Sequence, residues 1–136
     1  MTHPIVALQA NLIAALAADA ALVGLIGSNG IFDAPPRGKG APYVAIARHD
    51  LLARDGDAAP GFEHRLLLHV RAKEASRKAA LAIAERLVAI ALAAVLDGGG
   101  ITVTHRQHER TDTAIDLDTG QARAAVTLRI YSEPTA

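Results

Sequence analysis

The residues with the most specific chemical signature are Asp118, Thr119 and Gly120. Aspartic proteases present each catalytic carboxylate on this tripeptide. Two such carboxylates about 3 Å apart share one proton, because both cannot ionise at that distance. A chain with a single copy would have to borrow the second from a dimer. The tripeptide also needs buried apolar flanks, whereas here it lies beside Asp116 and Gln121 among residues that favour turns. A turn is the better reading. A small aspartic-protease-like enzyme that uses Asp118 as a dimer is the enzymatic alternative.

Other candidate ligands are weaker. His105, His108 and Glu109 form His-Arg-Gln-His-Glu. Histidines three apart can share a metal on a helix, but on a strand they point to opposite faces, and this segment reads as strand. His49-Asp50 and His64 look isolated. Asp55, Asp57 and Glu63 suggest a calcium loop only loosely, since Pro60 and the short spacing break the ligand pattern. Gly38-Lys39-Gly40 lacks the spacing and following helix of a phosphate loop. The expected catalytic, cofactor-binding and metal-ligating sets are therefore empty. The expectation is a protein that is not an enzyme and carries no cofactor.

Composition points the same way. The 136 residues suffice for one domain, expected to span 1–136. Basic and acidic residues balance at 14 each, so no global charge calls for nucleic acid or an anionic membrane. There is no cysteine, which excludes disulfides, thiolate metal sites and a thiol nucleophile. The N-terminus lacks a basic leader and Gln9, Asn11 and Asp19 interrupt it, so no signal peptide is expected. The longest apolar run, Leu87 to Leu96, has about half of the roughly 20 residues that a spanning helix needs. No membrane partner is expected.

The elements that must carry any site follow from periodicity. Pro4 suits a first helical turn capped by Thr2 or His3, and Leu8, Leu12, Ile13 and Leu16 recur at helical spacing. Asp19 is placed to cap a short second helix, Ala20 to Ile26, which Gly27 ends. Tyr43 to Arg48 reads as a strand, followed by a loop with Asp-Gly and Pro-Gly turn signals. In the next strand Leu66, Leu68 and Val70 face one way, and Arg65, His69 and Arg71 the other. Ser76 caps the clearest helix, which Gly98 to Gly100 close. Its second half is apolar on every side, so it must meet a second surface, either the first helix or another subunit. The Thr-rich segment from Ile101 to Ile115 reads as a long, partly exposed edge strand. The last strand alternates Ala124, Val126, Leu128 and Ile130 against Arg123, Thr127, Arg129 and Tyr131. The order α-(α)-β-β-α-β-β predicts an α+β fold: a mainly antiparallel four-stranded sheet with helices packed on one face.

Two features then stand out. The open sheet face would carry Arg65, Arg71, Arg123 and Arg129, which could meet phosphates or line a channel, or pair with Glu63, Glu109 and the aspartates. Balanced charge favours pairing. The stretch before the first strand, with Pro35, Pro36, Arg37, Gly38, Lys39 and Gly40, joins rigid to flexible residues and suits an arm that leaves the helical layer.

Order and spacing across nearly the whole chain resemble the tail-completion or tail-terminator proteins of long-tailed, siphovirus-like phages and phage-like gene transfer particles. The landmarks are Asp19 to Leu22 at a helix start, Phe32-Asp33 with Pro36, the Pro42-Tyr43-Val44 strand start, and the strand from His64 to Val70. The resemblance implies a structural virion protein that forms a ring, commonly hexameric. Such a ring caps the tail tube, stops its polymerisation and forms the surface that joins tail to head. The implied partners are further copies of the chain, the tail tube protein and a head-completion or neck protein. DNA would pass through the lumen without sequence-specific binding. The implied location is the tail–neck junction of the virion, assembled in the host bacterial cytoplasm. A neighbouring role as a head-completion or stopper protein is the alternative within the same class.

Overall fold

The computed structural model describes residues 2–38, 40–54 and 60–135. Lys39, Asp55 and Asp57 lie outside them. Helix α1 runs from Pro4 to Ala17, with Pro4 in its first turn and the His3 imidazole accepting the Ile5 N–H at 3.1 Å. Helix α2, Ala20–Ile26, starts at Asp19, whose carboxylate accepts the Leu22 N–H at 2.9 Å. That carboxylate also holds the Arg86 guanidinium at 2.6 and 2.8 Å, tying the α2 start to the long helix α3, Arg77–Ala93. The Arg86 hydrogen bond pulls the Asp19 carboxyl down to about pKa 2.

The sheet has five strands: β1 Ile31–Phe32, β2 Tyr43–Ala53, β3 Phe62–Arg71, β4 Ile101–Ile115 and β5 Ala122–Pro134. They lie in the order β1-β2-β3-β5-β4. The α+β class and both anticipated hairpins, β2–β3 and β4–β5, are present. The four-stranded antiparallel sheet is corrected on one point, because β1 pairs parallel to β2 and makes the sheet mixed. With two residues, β1 has no alternation to read. It forms because the chain turns back after α2, and Gly30 C=O accepts the Val44 N–H at 2.7 Å. Strand β2 also runs past its expected end at Arg48 to Ala53, because Leu51 and Leu52 pair with His64 and Glu63.

The alternation in β3 and β5 separates two environments. Leu66, Leu68, Val70, Ala124, Val126, Leu128 and Ile130 are buried beneath the helices. They meet Leu8, Leu12 and Leu16 of α1 and Ile83, Leu87 and Ile90 of α3 in one core. Helix α1 supplies the second surface expected for the apolar half of α3. The helix stops at Ala93, three residues short of Leu96, which turns inward and is fully buried.

Two polar anchors fix this end. Arg106 of β4 donates to the C=O of Ala91 at 3.1 Å and to that of Ala94, so a cation satisfies carbonyls left over at the α3 C-terminus. Asn11 of α1 donates to the C=O of Leu96 at 2.7 Å and of Gly98 at 3.1 Å. Gly99, at φ +64, packs where a Cβ would come within 3.1 Å of the Ala7 Cβ. The close approach of α1 therefore depends on glycine there.

Leu68 is fully buried at the centre of the β3 ladder. Leu68→Ala is expected to destabilise the protein by about 2–5 kcal/mol through lost burial and a cavity. Chemical denaturation measures this, and a loss well below that range would mean the core is not packed as described.

Candidate assembly surfaces

The sheet face turned away from the helices is a lattice of ions. Glu63 of β3 lies at its centre and, although charged, is only 3% exposed. Its carboxylate accepts from Arg65 at 2.6 Å and Arg54 at 3.2 Å, and Arg129 of β5 lies 3.6 Å away. The Arg129 Nε is 2.6 Å from Glu109 of the edge strand, but off the line of a hydrogen bond. Hydrogen bonding from Arg65 keeps the Glu63 carboxyl below the ordinary range, against the pull of burial. Arg71 pairs with Asp116 at 2.9 Å, while Arg48–Asp50 and Arg110–Asp112 pair along their own strands. All four arginines expected on this face are on it. Arg65, Arg71 and Arg129 are paired, and Arg123 makes no ion pair among the described residues. Burial, then the nearby charges of Arg123 and Arg71, lower the pKa of His69.

Beneath the helices runs a polar chain that the sequence reading missed. Gln9 of α1 contacts His49 of β2 at 3.2 Å, His49 contacts His64 of β3 at 2.8 Å, and His64 contacts Ser132 of β5 at 2.8 Å. His64 and Ser132 are fully buried. The histidines that looked isolated are joined because β2 extends far enough to bring them together. The aliphatic Leu51-Leu52 pair was the available signal for that extension. Burial lowers both imidazoles to about pKa 4. The other histidine expectation holds, since His105 stacks near Tyr131 on the open face and His108 lies on the helix side. Among the described residues no three His, Cys, Asp or Glu side chains are grouped to hold a metal.

Asp118-Thr119-Gly120 lies at the exposed β4–β5 turn. The Asp116 carboxylate accepts the N–H groups of Asp118 and Thr119 at 2.9 and 3.3 Å, an arrangement that closes a turn. Strand β4 is the sheet edge. Two register shifts interrupt its pairing, and Glu109, Arg110 and Asp112 charge it. Both devices discourage edge-to-edge pairing.

The outer side of α1 is inverted in polarity. Its only polar side chains, Gln9 and Asn11, turn inward to hydrogen bonds, while Val6, Ala10, Ala14 and Ala17 are exposed. Leu81 and Leu92 of α3 and Val95 beyond it are also exposed. The stretch holding Pro35, Pro36, Arg37, Gly38 and Gly40 forms no regular structure and is largely exposed. No single helix among the described residues is long and apolar enough to cross a membrane, and α1 and α2 meet at 85°.

Helices packed over one face of a mixed, ion-laced sheet, with an uncharged outer side on α1, make this an α+β module. The chain belongs to the family of tail completion protein gp17, whose sequence model matches residues 10–133. It is thus a structural tail protein. Comparison with curated proteins finds no match. Among solved structures, a chain in the virion of a native gene transfer agent particle is 24% identical. It superposes with a TM-score of 0.83, covering 98% of this chain and 99% of that one, and so has the same fold.

The buried histidines set an acid limit. Both folded-state values, about 4, lie below the unfolded 6.5, so the unfolded chain takes up protons first as pH falls. Stability is full above pH 6.5 and falls towards pH 4. Glu63 and Asp116, held below their ordinary values by arginines, lose their contribution only at lower pH. Denaturant titrations across this range are expected to show the upper limb, and His49→Gln with His64→Gln to flatten it. An unchanged limb in that variant would assign the loss to other groups.

Proposed function

We propose that the protein is a tail terminator: a homo-oligomeric, hexameric ring that caps the tail tube, stops its polymerisation and forms the surface that joins tail to head. The observation that carries the reading is the family match across residues 10–133. The full-length likeness to a chain of a gene transfer agent virion supports the same setting, a phage-like particle. The protein sits at the tail–neck junction, after assembly in the host bacterial cytoplasm. Its partners are further copies, the tail tube protein and a head-completion protein.

The surfaces suit this role. A closed ring needs a heterologous contact, one patch on each copy meeting a different patch on the next. The uncharged outer side of α1 and the exposed Leu81 and Leu92 offer apolar area for contacts. The sheet face suits a lumen, because Arg65, Arg71 and Arg129 are already held by Glu63, Glu109 and Asp116, which leaves Arg123 as the one of the four without an ion pair among the described residues. DNA passes it without sequence-specific binding. Residues 35–40 act as the arm that reaches a neighbour or the tube.

Electron microscopy of particles from cells lacking the gene tests the reading. Overlong tails without heads are expected. Filled heads with separate tails of normal length would move the protein to a neck or stopper role. Deleting Arg37 to Gly40 is expected to disrupt assembly, and normal particles from that deletion would remove the arm. An Asp118→Asn variant that still supports assembly would dispose of the enzymatic reading.

A further inference from the structure

We propose that the β4–β5 turn is a tooth by which one copy engages the next, with Leu117 seated in a second copy where α2, the start of β2 and the start of α3 meet. This contact rests on the ring reading and names one patch pair through which the ring closes.

Leu117 is 97% exposed, the most exposed large apolar side chain among the described residues. It is held on a built turn. Asp116 N–H donates to Gln121 C=O and Gly120 N–H to Asp116 C=O, each at 2.8 Å, with Gly120 at φ +71. The Asp116 carboxylate accepts from two further N–H groups and from Arg71. A leucine on a fixed support loses little conformational freedom when it docks.

The receiving groove has a volume of about 300 Å³. Leu25, Pro42, Ala72 and Ile83 form its apolar lining, and Lys73 and Glu74 stand at its rim. Just beyond, Arg77 and Lys78 are exposed at the first two positions of α3. A helix start favours negative charge, yet no acid occupies this first turn. The helix therefore keeps a cationic start against its own dipole. With Lys73, these cations outnumber Glu74. The tooth has the opposite character, with Asp116 and Asp118 on either side of Leu117. An acid-flanked apolar tooth matches a base-rimmed apolar groove.

Their placement fits a repeating contact. Tyr43 pairs with Arg71, Arg71 with Arg123, and Arg123 with Ala114, so tooth and groove lie at the same end of the sheet. The tooth belongs to the β5–β4 side, and the groove lies beside the β2–β3 side and α2. The Ala72 N–H of the groove donates to the Ala122 C=O at the base of the tooth at 2.9 Å, so the two are neighbouring but different patches, and a contact between them on two copies is heterologous.

The chain has no cysteine, so the introduced thiols are the only ones it carries. Particles are assembled from two co-expressed copies, one with Leu117→Cys and the other, tagged, with Ala82→Cys, a residue of the groove. Mild oxidation is expected to give a mixed disulfide band that is absent when either variant is present alone. Several copies per particle by quantitative mass spectrometry, with no mixed band, would overturn the contact and leave the ring. One copy per particle would overturn both. Should the thiol variants fail to incorporate, Leu117→Asp with native circular dichroism is expected to lower particle yield at least about tenfold, while Leu117→Met retains it. Undiminished yield from Leu117→Asp would overturn the contact.

Discussion

The pairing of β3 with β5 is the constraint on which the rest of the structure depends. Ten consecutive registered pairs, from Phe62 with Ser132 to Arg71 with Arg123, set two alternating strands side by side at the heart of the sheet. Because side chains alternate strictly, this one register sends Leu66, Leu68, Leu128 and Ile130 under the helices. It sends Glu63, Arg65, Arg71 and Arg129 to the other side, where they pair. A slip of one residue in either strand would turn that strand's set over and strand its two arginines in the core. The hydrophobic term fixes the register, and the ion pairs then form on the face left over. Most of those pairs are solvent-exposed and individually weak. Glu63 differs, since a buried carboxylate requires its arginines.

Elements with long periodic stretches were legible. α1, α3, β3 and β5 each carry their own pattern, and His3, Asp19 and Ser76 each accept a backbone N–H at the starts of α1, α2 and α3. The edge position of β4 was also legible, from its threonines and charges. What escaped reading depended on contacts distant in sequence. β1 is two residues long and exists only because α2 delivers it to β2. The second half of β2 looked like loop, since Asp50 and Arg54 interrupt any apolar alternation. The chain of Gln9, His49, His64 and Ser132 requires that extended strand together with α1 and β5, and no local pattern encodes it. The Asp118 tripeptide illustrates the converse, a strong local signature that its surroundings reduce to a turn.

Local rules are broken in two places, and both lie on the exterior. Helix α1 spends its polar side chains inward and shows alanines and a valine to solvent. Helix α3 begins with Arg77 and Lys78 where its dipole prefers acids. Neither the exposed alanines and valine nor the cationic helix start stabilises the isolated subunit. Sequences tend to depart from local consistency where function requires it. In a member of a tail-completion family, the function at hand is fitting against other subunits.

The edge strand narrows how such fitting can occur. A sheet with an unguarded edge can add copies indefinitely, because each addition exposes the same edge again. In the proposed terminator role, a subunit that ends a polymer must not propagate one. Strand β4 carries two interruptions of its register and a run of charge, which disfavour growth by strand pairing. In the proposed ring, association then proceeds through side-chain surfaces whose relative orientation is set by the rigid core. Such contacts fix a rotation between copies, and a fixed rotation either closes or winds on as a helix. Closure is the geometry that limits copy number, so a guarded edge and a heterologous side-chain contact are complementary parts of one requirement.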